Sequence, residues 1–171
     1  SKGVCVEPNS ELFQYIKKKR PRDTCLNYGA GFLSKKETAN FYIMSAKTLN
    51  TFSKIEADRL VKEEGLKIVE VRKIPLIPVN NIISDNFKDK PNLISLDTEG
   101  LDLEILKSID FNKFRPEVLC VETTTYTKKG EPEKQYDTID FMKEKNYLVY
   151  ADTSINTIFI EKKAWLSRQL R

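Results

Sequence analysis

The chain has 171 residues, of which 40% are hydrophobic and 32% charged, a size and apolar share that suit one globular domain with a real core. Its formal net charge of +4 falls well short of a dedicated nucleic-acid binder, and no apolar run approaches the ~20 residues of a membrane span. It contains no histidine, which excludes Ser-His-Asp and Cys-His arrangements and any His-ligated metal, so a general base here is Asp, Glu, Lys, Tyr, Cys or water.

In chain order, Gly3-Val4-Cys5-Val6-Glu7 is a short apolar run that ends in an acid. Pro8-Asn9-Ser10-Glu11 then opens a helix that Asn9 or Ser10 can cap, with Leu12, Phe13 and Ile16 on one face. The basic run from Lys17 to Arg22 closes that helix; it reads as a solvated helix end, with a polyanion contact as the rival. Thr24 to Tyr28 reads as a strand broken by Gly29-Ala30-Gly31, a lone G-x-G with no capped helix behind it. Phe41 to Met44 is a further strand, antiparallel or at an edge. A helix is expected from about Ser53 to Glu64, stopped by Gly65. Lys67 to Val79 is extended, and Pro75 and Pro78 argue against a central strand. A short helix follows across Ile82, Ile83 and Phe87.

Leu93 to Asp97 is expected to be the clearest buried strand, followed by Leu101, Ile105, Leu106 and Ile109 at helical spacing. Val118 to Glu122 repeats the apolar strand ending in an acid, and a polar loop runs from Thr123 to Glu133. Ile139, Phe141 and Met142 mark a helix; Tyr147–Tyr150 and Thr157–Ile160 form a closing strand pair; Lys162 to Arg171 is a short helical tail. Cys5, Cys25 and Cys120 lie within apolar runs without C-x-x-C spacing and read as buried thiols of a reducing compartment. Strand–helix alternation without repeat or linker predicts one α/β domain over residues 1–171 with a mostly parallel sheet and an antiparallel closing pair.

In such sheets ligands bind beyond the carboxyl ends of the strands, where this chain places Glu7, Asp97 and Glu122. Glu7 can accept hydrogen bonds from vicinal ribose hydroxyls or serve the following helix as a capping acid. Asp97 and Glu99 flank a tight turn at Gly100, and Glu99 is equally placed to be a first-turn helix acid. Asp97, ending a buried strand, requires a partner.

The order Val6-Glu7-Pro8-Asn9, then Asn27 after a strand, then Leu96-Asp97-Thr98-Glu99-Gly100 with Leu103-Glu104-Ile105-Leu106, then Arg115-Pro116-Glu117-Val118 through Glu122, resembles the FkbM-type methyltransferases from Gly3 to about Glu161. The resemblance implies a Rossmann-like class I methyltransferase sheet and S-adenosylmethionine as cofactor. It implies that Glu7 contacts the cofactor ribose and that Asn27, Tyr28 and Gly29 lie near the adenine. Asp97, Thr98 and Glu99 would face the methyl donor and acceptor, with Asp97 or Glu99 as base. Glu122 and Thr123 would border the substrate, and the 123–133 loop would be a lid or selecting segment with Tyr126 and Lys128 as contacts. The family's first strand, with its glycine-rich turn, has no counterpart ahead of Val4 and is expected to be missing from the middle of the sheet.

The resulting expectation is a cytoplasmic methyltransferase, in this form without part of its cofactor site, that methylates an oxygen of a sugar, glycan or small hydroxylated metabolite. No nucleic acid, membrane span or metal is called for; the oligomeric state is left open. The alternative is a methyltransferase-like binding module without catalysis.

Overall fold

The computed structural model describes residues 2–125 and 133–169. The first unit is β1 (Val4–Val6), α1 (Ser10–Lys19) and β2 (Thr24–Leu26). Asn9 caps α1, its Oδ1 accepting from Glu11 N at 3.0 Å and Leu12 N at 3.3 Å. Lys17, Lys18 and Lys19 fill the last turn and are exposed, as a solvated helix end requires. β1 and β2 pair in parallel, so Cys5 lies opposite Cys25; both thiols and Cys120 are free and half-buried.

Between this unit and the next parallel strands lies a second sheet. It contains β3 (Gly29–Gly31), β4 (Glu37–Met44) and β5 (Ile68–Pro78) in the order β3-β5-β4. Gly29-Ala30-Gly31 is therefore a strand and not a breaking loop. It pairs in parallel with β5 from Gly29↔Leu76 to Gly31↔Pro78. β5 is the middle strand despite its prolines, contrary to expectation. Its two neighbours overlap at Leu76 alone, so Pro75 is paired only with β4 and Pro78 only with β3. Between β4 and β5 stands α2 (Lys54–Glu64), capped by Ser53 Oγ at 3.2 Å from Glu56 N and ended by Gly65 at φ 68°. Ala57 and Leu60 of α2 pack with Tyr42 and Met44 as a small separate core.

The third sheet combines α3 (Val79–Asn86), β6 (Leu93–Leu96), α4 (Asp102–Ser108) and β7 (Val118–Glu122) with the closing elements. β8 (Thr124–Thr125) and β9 (Glu133–Lys134) form a short hairpin base. α5 (Tyr136–Glu144), β10 (Tyr147–Asp152), β11 (Asn156–Glu161) and α6 (Lys162–Gln169) follow. The strand order is β10-β11-β7-β6, with β6 and β7 parallel and the closing pair antiparallel. The main core lies on this sheet, around Leu106, Leu119, Val121, Met142, Tyr147 and Phe159. The Tyr147 hydroxyl donates to Pro116 O at 2.7 Å, which satisfies the one polar atom of that ring.

The fold is thus mixed α/β with several sheets, and a single mostly parallel sheet is not what forms. The longest ladder, β4 with β5, is antiparallel, and β1–β2 is not hydrogen-bonded to β6–β7. Consequently β6 has an open edge. Leu93 is 57% exposed and Ser95 is exposed, so only Leu96 of this strand is buried.

Candidate functional site

The open edges of β1 and β6 border one groove of about 500 Å³. Val4 and Val6 line one side, and Leu93 to Leu96 the other. The floor includes Ile82, Ile83 and Phe87 from α3 and its C-terminal end. Phe41 from β4 and Phe52 from the segment ahead of α2 also line it, with ring centroids 4.6 Å apart. Polar groups gather at the strand ends: Glu7 past β1, and Asp97, Thr98 and Glu99 past β6.

Strand register explains why the acids meet. Leu96 is paired with Val121 across parallel strands, so the next residues, Asp97 and Glu122, emerge side by side. Glu99 then takes a left-handed backbone (φ 52°), followed by Gly100 at φ 99°, and this double reversal returns its carboxylate to the strand end. Oxygens of Asp97, Glu99 and Glu122 all lie within 4.8 Å of one another. Burial, then Glu122 and Asp97, push Glu99 up to about 8. Burial, then Asp97, push Glu122 up to about 7. Such an all-oxygen set has the hard character of ligands for a divalent cation, but the cluster alone assigns none.

Two neighbours hold this turn. Asp102, buried at the start of α4, accepts from Thr98 N at 3.2 and 3.4 Å through its two oxygens, and burial pushes it up to about 6. Thr51, 1% exposed, donates through Oγ1 to Glu99 O at 2.7 Å and accepts from Ser53 N at 2.9 Å. Thr51 carries no sequence signal, because it lies 48 positions from Glu99 in an inserted segment. Asp102 does carry one, as the acid that follows D-x-E-G, but its role becomes visible only through the bond to Thr98.

Glu7 lines the groove, and its Oε1 accepts from Asn9 N at 2.6 Å; burial raises it above the usual carboxylate range. Gly29 also lines the groove, where a Cβ would come within 2.5 Å of Leu76 Cδ2 and 2.6 Å of Phe52 Cζ. Its missing side chain is thus filled by the wall itself. Asn27 and Tyr28 are not among the groove-lining residues. The Asn27 side-chain amide donates to Glu7 O at 2.8 Å and Pro8 O at 3.2 Å, tying β2 to the turn after β1. Asp97, Thr98 and Glu99 are brought together as expected of one turn. Glu122 faces a second cavity, whereas Thr123 is wholly buried with its hydroxyl 2.6 Å from that of Thr157. The neighbouring Thr124 lines the cavity in its place, as alternation along an extended chain dictates. Tyr126 and Lys128 lie outside the described residues.

Carboxylates converge here beyond adjacent parallel strands, beside a groove with apolar walls, the place where α/β sheets commonly receive ligands. The family model of the methyltransferase FkbM domain matches residues 1–149, and the chain belongs to that family. No curated protein and no solved structure matches it. Among the described residues no helix is long and apolar enough to cross a membrane.

Proposed function

We propose that this protein transfers a methyl group from S-adenosylmethionine to a hydroxyl oxygen of a sugar, glycan or small hydroxylated metabolite. The observation that carries the reading is the convergence of Asp97, Glu99 and Glu122, of which Asp97 and Glu99 line the groove that Glu7 also lines. The residues fit the cofactor's chemistry: a carboxylate at Glu7 for a ribose diol, an apolar wall with Ile82, Ile83 and Phe87 for a flat base, and Asp97 for a cationic centre. When bound, S-adenosylmethionine supplies a methyl group on a sulfonium, which makes it a ready electrophile. The chain's own work is alignment of the acceptor and removal of its proton.

Glu99 is the base in this scheme. A carboxylate at about 8 is a far stronger proton acceptor than an ordinary one, and it still ionises within reach of neutral pH. Asp102 and Thr51 hold the turn that presents it. The open edges of β1 and β6 suit one further parallel strand between them, and the proposal includes that strand as part of the complete cofactor site.

Calorimetric titration with S-adenosylhomocysteine tests the reading, on this chain and on a form lengthened at its N-terminus. Binding by the lengthened form, weakened by Glu7→Ala, supports it. The same two open edges favour a second reading, a binding module without catalysis. If neither form binds while both remain folded, that second reading replaces the first.

A further inference from the structure

The thiols have no part in the methyl-transfer scheme, and two of them are neighbours. β1 and β2 pair in parallel with Val4 opposite Thr24, Cys5 opposite Cys25 and Val6 opposite Leu26. Partners in a parallel ladder project from the same face of the sheet, so the two thiols stand side by side although α1 separates them in the chain. Neighbouring strands lie about 4.7–4.9 Å apart, which is inside the Cα separation that a disulfide accepts. A Cβ pair at that spacing is a little wider than in a relaxed disulfide, so the bond forms with a small approach of the strands and stays easy to reduce. The two strands make a sheet of their own, which leaves them room for that approach. Both cysteines are free and neither is fully buried, so a small reagent reaches them.

The contacts around the pair hold it in register. Thr24 N donates to Gly3 O at 3.0 Å on one side, and Glu7 N donates to Leu26 O at 3.0 Å on the other. Asp23 Oδ1 accepts from Gly3 N at 2.8 Å, and Asn27 Nδ2 donates to Glu7 O at 2.8 Å. Burial pushes the Cys5 thiol up, while the positive charge of Arg20 beside it pulls it down and favours its thiolate. Cys120 is the contrast. It lies on β7, in another sheet, where its strand partners are Ser95 and Ile158.

We infer that Cys5 and Cys25 form a reversible oxidation site, which a low-molecular-weight disulfide converts into a cross-strand disulfide. The inference is independent of the methyl-transfer reading. The thiolate of one cysteine attacks a sulfur of the incoming disulfide, whose S–S bond breaks and releases one thiol as it takes up a proton. The second cysteine then attacks the protein-bound sulfur of that mixed disulfide, forms the Cys5–Cys25 bond and releases the second thiol. The two protein thiols give up two hydrogens, and the incoming disulfide gains both. Val4 and Val6, on either side of Cys5, line the groove, and Glu7 follows them. The bond fastens that wall to β2 and closes a loop that contains α1, which restricts both.

The test equilibrates this chain with mixtures of oxidised and reduced glutathione, traps free thiols with iodoacetamide, and reads the masses of the intact chain and its tryptic peptides. The expected product carries one alkylated cysteine, Cys120, and a disulfide that joins the peptide starting at Gly3 to the peptide starting at Asp23. It should appear at about a tenth or less of the oxidised glutathione that puts a mixed disulfide on Cys120, because the second thiol is already in place. Amide exchange in α1 should slow by about tenfold. Dithiothreitol should restore every thiol and the original amide spectrum. Cys5→Ser and Cys25→Ser should each stop at one glutathione adduct on the remaining strand cysteine; if a variant does not fold, the wild-type peptide map decides. Reaction of Cys120 ahead of the pair overturns the inference, as does a bond from either strand cysteine to Cys120 or to a second chain. So does a glutathione adduct on the wild-type pair that never resolves, or no loss of thiols at all. A Cys5–Cys25 bond that forms only in urea, that dithiothreitol does not reverse, or that leaves exchange in α1 unchanged overturns it equally.

Discussion

Replacing Glu99 by Gln separates the stability of the site from its chemistry. The change keeps the side chain's size and the left-handed turn but removes the capacity to ionise. Glu99 titrates near 8 in the folded chain, against 4.5 for a free side chain. Below pH 4.5 both states hold the proton, and glutamic acid and glutamine differ little. As pH rises towards 8 the unfolded chain releases its proton while the folded chain retains it, so the wild-type fold loses stability that the Gln variant keeps. At about 1.36 kcal/mol per pH unit, the full separation corresponds to about 5 kcal/mol. Glu99 is only half-buried and solvent screens part of the charge, so about 2 kcal/mol is the expected difference at pH 9. For a domain of this size that raises Tm by about 4–8 °C. At pH 4 the two proteins should melt within about 1 °C of each other, given a free-energy difference near zero. Thermal denaturation at the two pH values reads this directly. An equal difference at both, or a less stable variant at pH 9, would show that the Glu99 carboxylate is not held in a repulsive environment. In a methyl-transfer assay the wild-type rate should climb with pH towards a plateau above about 8, where the base is ionised. Glu99→Gln should lower the rate by roughly 10²–10⁴ and remove that climb.

Thr51→Val deletes the hydroxyl that donates to Glu99 O and accepts from Ser53 N, leaving both without that partner. A loss of about 1–3 kcal/mol by chemical denaturation is expected. Turnover should fall while S-adenosylhomocysteine affinity does not; an unchanged rate would mean the turn needs no such support. Gly29→Ala forces a methyl group against Leu76 and Phe52, and the expected cost is about 1–3 kcal/mol. Combining it with Phe52→Leu should recover much of the loss, and failure to recover would assign the strain elsewhere. Asn9→Ala removes the cap from Glu11 N and Leu12 N and should cost about 1 kcal/mol, seen as a Tm lower by about 2–4 °C. A shift under 1 °C would mean that solvent replaces the cap.

Local signals were legible where one segment's own chemistry decides its shape. Asn9 caps α1, and Gly65 ends α2 in the left-handed region, because these residues act on backbone groups a few positions away. The apolar runs ending in Glu7, Asp97 and Glu122 formed strands with their acids at the carboxyl ends for the same reason. Gly29-Ala30-Gly31 was misjudged as a break. Three small residues show no alternation, and what makes them a strand is the parallel partner β5, more than forty positions away. Asn27 looked like a ligand contact, yet its amide ties two turns together, a role visible only once β2 lies beside β1.

The sequence by itself determined most of the helices and strands, the Asn9 cap, the Gly65 stop, the family and the set of strand-end carboxylates, since each of these is written in nearest neighbours and short spacings. Tertiary structure decided which of those carboxylates meet. It drew Asp97, Glu99 and Glu122 within 4.8 Å and left Glu7 outside that cluster, because β6 and β7 pair in register while β1 and β6 do not pair. It also put Thr51 behind Glu99 and α2 over the second cavity, through an inserted β4–β5 hairpin whose packing no local pattern encodes. Contacts between distant segments depend on the summed packing of the whole chain, and that sum becomes readable only in three dimensions.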